Sequence, residues 1–81
     1  MTFTLYILRC ADGSLYTGIA TDIEKRLAVH RAGKGSKYVR ARLPVAVVYT
    51  ETCTNRSEAT KREIEIKRLS RSEKLELCRT K

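Results

Sequence analysis

Five polar side chains stand where the surrounding pattern calls for apolar or enclosed residues. Tyr6 and Tyr16 lie in strand-like sequence, Arg26 and His30 at the edge of one apolar helix stripe, and Glu63 inside another. Each alone has an ordinary explanation. A strand tyrosine packs its ring and leaves its hydroxyl in water. Arg26 is a solvated or anion-touching cation, His30 complements the C-terminal end of a helix dipole, and Glu63 pairs with Arg62 or Lys67. Together, though, they supply what hydrolysis of a phosphodiester requires: a proton acceptor for the attacking water, positive charge for the phosphoryl oxygens, and a metal or acid for the leaving oxygen. A phenol, with an unperturbed pKa of about 10, becomes a base only where nearby cations stabilise the phenolate. Arg26 is available for that. A single inward carboxylate favours one Mg²⁺ that keeps most of its waters over a two-metal clamp.

These groups need elements to hold them. Residues 3–10 and 14–20 are rich in β-formers and flank "ADG", a type I turn followed by Gly13 in the left-handed region, which makes a hairpin with a three-residue loop. Leu8 then opposes Tyr16 and Tyr6 opposes Gly18. Both tyrosines share the even-numbered face as diagonal neighbours, with open space at Gly18 across from the first phenol. The odd face, with Phe3, Leu5, Ile7, Leu15 and Ile19, is a core face. "TDIE" reads as a capping box with Thr21 as N-cap and Glu24 reaching back, opening a helix to about Ala32 that Gly33 and Gly35 stop. "SKYVRAR" is a helical turn or a loop ended by Pro44. "VAVVYTETC" predicts a third strand from Val45 to about Cys53, apolar on both faces at its start as a central or well-covered strand would be. A helix follows from about Arg56 to Arg68, capped by Asn55 and Glu58, with Ala59, Glu63 and Ile66 inward. "SRSE", Ser70 to Glu73, is a further capping box and starts a C-terminal helix that can bury Leu75 and Cys78.

The chain of 81 residues is long enough for one domain, 1–81, with one modest core. A formal charge of +8, spread from Arg9 to Lys81, makes a polyanion the expected partner. No long apolar segment and no aromatic-faced basic helix points to a membrane. Cys10, Cys53 and Cys78 are odd in number, far apart and never in a C-x-x-C pair, as in buried thiols of a cytoplasmic protein. Nothing resembling a secretory signal precedes the first strand.

Tyr6, "YTG" at Tyr16 to Gly18, "EKRLAVH" at Glu24 to His30 and "EATKRE" at Glu58 to Glu63 resemble the GIY-YIG nuclease superfamily. Over about residues 3 to 78, "YILRCADGSLYTGIATDIEKRL", "GKGSKYVRAR" and "SEATKREIEIKRLSR" are similar to its small stand-alone bacterial members of the excision-nuclease-like group. The resemblance implies an α+β fold: a three-stranded antiparallel sheet, strand order 1-2-3, flanked by helices. It implies metal-dependent cleavage of DNA, usually with Mg²⁺ and with Mn²⁺ as a substitute. Tyr6 matches the tyrosine of "GIY" and Tyr16 that of "YIG", and one of these phenols activates water in the family. Arg26 matches the arginine that steadies the phosphate, His30 a histidine that relays the proton, Glu63 the metal-binding glutamate, and Tyr38 an aromatic position that lines the site. Thr4 stands where "GIY" has its glycine, and Thr17 where "YIG" has isoleucine; the asparagine some members place after the metal-binding helix has no match.

The expectation is therefore a Mg²⁺-dependent endonuclease acting on double-stranded or branched DNA in repair or recombination. Arg31, Lys34, Lys37, Arg40 and Arg42, with Tyr38, form the rim that meets the DNA backbone, and a protein partner supplies specificity. The rival is a nucleic-acid-binding module of the same fold with little activity alone; an RNA-directed factor is a third class.

Overall fold

A computed structural model describes residues 2 to 79. The elements run β1 (Phe3–Cys10), β2 (Leu15–Ala20), α1 (Ile23–Arg31), α2 (Lys37–Arg40), β3 (Val45–Cys53), α3 (Arg56–Lys67) and α4 (Arg71–Arg79). Three antiparallel strands with helices on both faces make the α+β fold expected of the sequence.

The hairpin has the predicted register. Leu8 pairs with Tyr16 and Tyr6 with Gly18. Gly13 sits at φ +85°, where a side chain would be strained, and the loop closes through Cys10 N to Ser14 O and Gly13 N to Cys10 O, each 2.9 Å. The Asp12 carboxylate braces it by accepting from Ser14 N at 3.0 Å and Ser14 Oγ at 2.6 Å.

Strand order differs from expectation. It is β2-β1-β3, so β1 is central and β3 an edge. The reason lies in β1 itself, where Leu5, Tyr6, Ile7 and Leu8 are all 1 % exposed or less, so both of its faces need cover. The even face is consequently a core as well. Tyr6, Leu8, Cys10, Ala20, Val39 and Val45 pack there, with Ile23 and Leu27 of α1 over them. The odd face buries Leu5, Ile7 and Cys53 against Ala59 and Ile66 of α3.

Helix ends agree with expectation in part. Asp22, not Thr21, caps α1, its carboxylate accepting from Lys25 N at 3.2 Å. Aspartate caps at least as well as threonine, and the shift leaves Glu24 in the first turn as favourable charge near the dipole's positive end. Gly33, at φ +76°, ends α1 in a Schellman arrangement, Gly33 N to His30 O and Lys34 N to Val29 O, both 3.0 Å. Asn55 caps α3 through Glu58 N at 2.9 Å, while the Glu58 carboxylate turns to Thr54. In α4 the capping box is reciprocal, Ser70 N to Glu73 at 2.9 Å and Glu73 N to Ser70 Oγ at 3.2 Å. Leu75, however, is 38 % exposed, and Leu77 with Cys78 packs against the core instead. Among the described residues no helix is long and apolar enough to cross a membrane.

Candidate active site

The centre of the candidate site is built by two glycines that let aromatic groups approach backbone. A Cβ on Gly18 would lie 2.6 Å from the Tyr6 hydroxyl and 2.7 Å from the ring carbon that bears it, so β2 can pass the phenol only as glycine. A Cβ on Gly35 would run into His30 Nδ1. The Schellman turn that ends α1 brings Gly35 back onto the imidazole, which is 2 % exposed. Between the glycines, Tyr6 Oη and His30 Nε2 are hydrogen-bonded at 3.0 Å. Nδ1 of His30 is buried with no hydrogen-bond partner among the described residues. Buried polar atoms without partners are uncommon in folded proteins.

Tyr16 is half-buried beside this pair. Its ring stands edge-on to His30 at 5.5 Å between centroids and stacks on Tyr38 at 6.0 Å with planes 26° apart. The Tyr6 phenol registers every remaining member. Burial first, then the charge of Tyr16, pushes it up to about 12; Arg26 works against that rise and Glu63 adds to it. One phenol, one guanidinium and one carboxylate, those of Tyr16, Arg26 and Glu63, thus bear electrostatically on the Tyr6 hydroxyl. Arg26 also reaches His30, whose pKa is lowered chiefly by burial and secondly by that positive charge. An open hollow of about 390 Å³ along α1, lined by Thr21, Asp22, Lys25 and Arg26 among others, borders the guanidinium.

Glu63 comes from α3, whose setting is fixed one residue earlier. Arg62 Nε donates to Glu51 of β3 at 2.9 Å, and the Tyr49 hydroxyl donates to the same carboxylate at 2.7 Å. The Glu63 side chain keeps 20 % exposure and faces Lys67 Nζ at 3.5 Å. No group of three His, Cys, Asp or Glu side chains gathers among the described residues. One accessible oxygen donor is a set that fits a hard cation such as Mg²⁺ or Mn²⁺, which keeps waters and takes its other ligands from substrate.

The rim residues divide. Arg31, Lys34, Lys37 and Arg40 are exposed on α1, α2 and the turn between them, and Tyr38 is 37 % exposed above Tyr16. Arg42 is turned back into the protein, 3.0 Å from the Asp12 carboxylate, with its guanidinium carbon 3.9 Å from the Tyr38 ring centroid. Asp12 and Gly35 carry no signal in the sequence beyond turn formation, since both act on residues distant along the chain.

His30 also makes stability depend on pH. A histidine held neutral by burial contributes stability that is complete above the unfolded pKa, about 6.5, and is lost as pH falls below it. His30 is the chain's single histidine, so its ring protons can be followed by NMR without ambiguity. The expected titration midpoint lies below about 6.5, with the melting temperature falling over the same interval.

The GIY-YIG catalytic domain profile matches residues 2–76. A UPF0213 protein of Staphylococcus haemolyticus is 52 % identical over 73 residues, covering 90 % of this chain and 89 % of its own. The solution NMR structure of a UPF0213 protein from Bacillus halodurans superposes with a TM-score of 0.66 at 44 % identity, covering all of this chain and 86 % of the other. That of a protein from E. faecalis gives 0.65 at 40 % identity over 95 % of this chain and 83 % of its own. With the profile, the relatives and the fold in agreement, the chain belongs to the GIY-YIG catalytic domain family, which is of nuclease type.

Proposed function

We propose that the protein is a divalent-metal-dependent endonuclease module that hydrolyses phosphodiester bonds in double-stranded or branched DNA. The observation that carries this reading is the aromatic cluster in which Tyr6 is hydrogen-bonded to His30 at 3.0 Å and Tyr16 stands edge-on to the same imidazole at 5.5 Å, with Arg26 and Glu63 close enough to bear on the Tyr6 hydroxyl. Burial separates the roles of the two tyrosines. Tyr6, 1 % exposed and pushed up to about 12, is a poor proton acceptor and serves with His30 as a fixed wall. Tyr16 has the accessible ring, so it is the phenol that takes the proton from the attacking water. Arg26, exposed at the mouth, holds the phosphoryl oxygens. Glu63 would hold the Mg²⁺ or Mn²⁺ ion, which when bound supplies positive charge to the phosphoryl and leaving oxygens. Arg31, Lys34, Lys37 and Arg40 meet the backbone on either side. Contacts of that kind position the duplex without reading sequence, so affinity should fall steeply with salt and a protein partner would supply specificity.

A binding module without turnover is the second reading, and one observation favours it: Lys67 already faces the Glu63 carboxylate. Incubation with supercoiled plasmid, a four-way junction and single-stranded DNA decides between them. Nicking in Mg²⁺ or Mn²⁺ that stops with EDTA supports the enzyme; salt-sensitive binding without nicking in either metal supports the module.

A further inference from the structure

Behind Tyr16 runs a chain of contacts drawn from two separate stretches of sequence, 12–16 and 38–42. It begins at Asp12 in the hairpin loop, pinned by both the backbone N–H and the hydroxyl of Ser14. Arg42, just beyond α2, donates from Nε to Asp12 Oδ2 at 3.0 Å and from Nη1 to the Tyr38 carbonyl at 3.0 Å. Its guanidinium carbon lies over the Tyr38 ring, 3.9 Å from the centroid, and the Tyr38 ring stacks on Tyr16. A rim cation waiting for phosphate would keep its donors in water, whereas this one has committed two donors and a face. Nor is the ion pair there for stability, because the two side chains are 35 % and 50 % exposed and a pair so solvated contributes little.

We propose that Asp12 and Arg42 form a strut that holds Tyr38 in its stack on Tyr16 and thereby fixes the direction of the Tyr16 hydroxyl. They are positioning residues and touch no substrate. The proposal rests on the reading of Tyr16 as the phenol that activates water. Two stacked rings have a broad sliding coordinate, and a planar guanidinium seated over the Tyr38 ring restricts it. Lysine lacks that plane and that fork, so charge alone cannot replace Arg42.

The test uses Asp12→Asn and Arg42→Lys in the full chain. Asp12→Asn still accepts from Ser14 N and keeps the turn, but no longer draws the guanidinium; Arg42→Lys keeps the charge. Ring signals of ¹³C-labelled tyrosine, DNA affinity by fluorescence anisotropy, and cleavage under single-turnover conditions are measured for both. The strut predicts shifted Tyr16 and Tyr38 ring signals with unchanged amide signals in α3. It predicts cleavage rates down by about ten- to a hundredfold, unchanged affinity for Arg42→Lys, and equal or tighter affinity for Asp12→Asn, which gains one positive charge. Weaker binding with an unchanged cleavage rate in Arg42→Lys would make Arg42 a phosphate contact and overturn the proposal, as would displaced rings with full activity. Should the wild type cleave nothing, the nuclease reading fails by itself. The ring signals then decide the strut alone: if they shift in neither variant, there is none.

Discussion

Replacing Tyr16 by phenylalanine is expected to lower single-turnover cleavage by about 10²–10⁴-fold, the range for removing a positioned proton acceptor, with little change in folding. The ring is half-buried, and Phe keeps its stacking on Tyr38 and its edge contact with His30. Tyr6→Phe is the informative contrast. There the hydroxyl lost is buried and bonded to His30 Nε2, so removing it strands the second nitrogen of an imidazole whose Nδ1 already lacks a partner among the described residues. That costs about 1–3 kcal/mol of stability and should show as a lower melting temperature. Cleavage measured well below each variant's melting point separates the two. A greater rate loss in Tyr6→Phe than in Tyr16→Phe would reverse the assigned roles.

Glu63→Gln has an effect of similar size by another route. Removing the lone carboxylate that would hold the cation takes away several kcal/mol of charge stabilisation, and about 4 kcal/mol corresponds to roughly a thousandfold in rate. Stability should hardly move. The ion pair given up is with Lys67, whose side chain is 55 % exposed, and i,i+4 pairs on helices contribute about 0.3–0.5 kcal/mol. DNA affinity should hold or rise slightly, since the variant is more positive by one charge. Cleavage assays with Mg²⁺ and Mn²⁺, alongside anisotropy at fixed salt, check both halves. Equal cleavage by Glu63→Gln and wild type would remove Glu63 from the site.

The parts of this fold that depend on neighbours along the chain are legible in the amino-acid sequence. The hairpin register, Gly13, the Asn55 cap and the Ser70–Glu73 box each follow from a few adjacent residues, and each lies where those residues place it. The coming together of Tyr6, Tyr16 and Gly18 is legible for the same reason, because pairing across a tight loop is arithmetic. Strand order is not. The run Leu5 to Leu8 is apolar on both faces, which marks a central strand, but the apolar start of β3 carries the same mark and local pattern cannot rank the two. The buried side of α4 escapes local pattern because Leu75 and Leu77 offer alternative stripes, and only the packing against the odd-face core selects Leu77. Thr21 and Asp22 are both competent caps, and the choice turns on where β2 lets go of the chain.

Within the candidate site the least legible features are the long-range ones. In sequence Gly35 is a helix stop, and its closeness to His30 exists only because the chain folds back after Gly33. Asp12 reads as a turn residue and Arg42 as a cation for DNA; their pairing spans thirty positions. No periodicity predicts such a contact.

The most direct measurement is a crystal structure of the Tyr16→Phe variant bound to an uncleaved DNA junction in Mn²⁺, with the metal located by its anomalous signal. The account predicts one phosphate within hydrogen-bonding distance of Arg26, the manganese against the Glu63 carboxylate, and the phenylalanine ring facing the phosphorus from the side opposite the leaving oxygen. A backbone seated instead across α3 and α4, with no phosphate near Arg26 and no metal at Glu63, would contradict it.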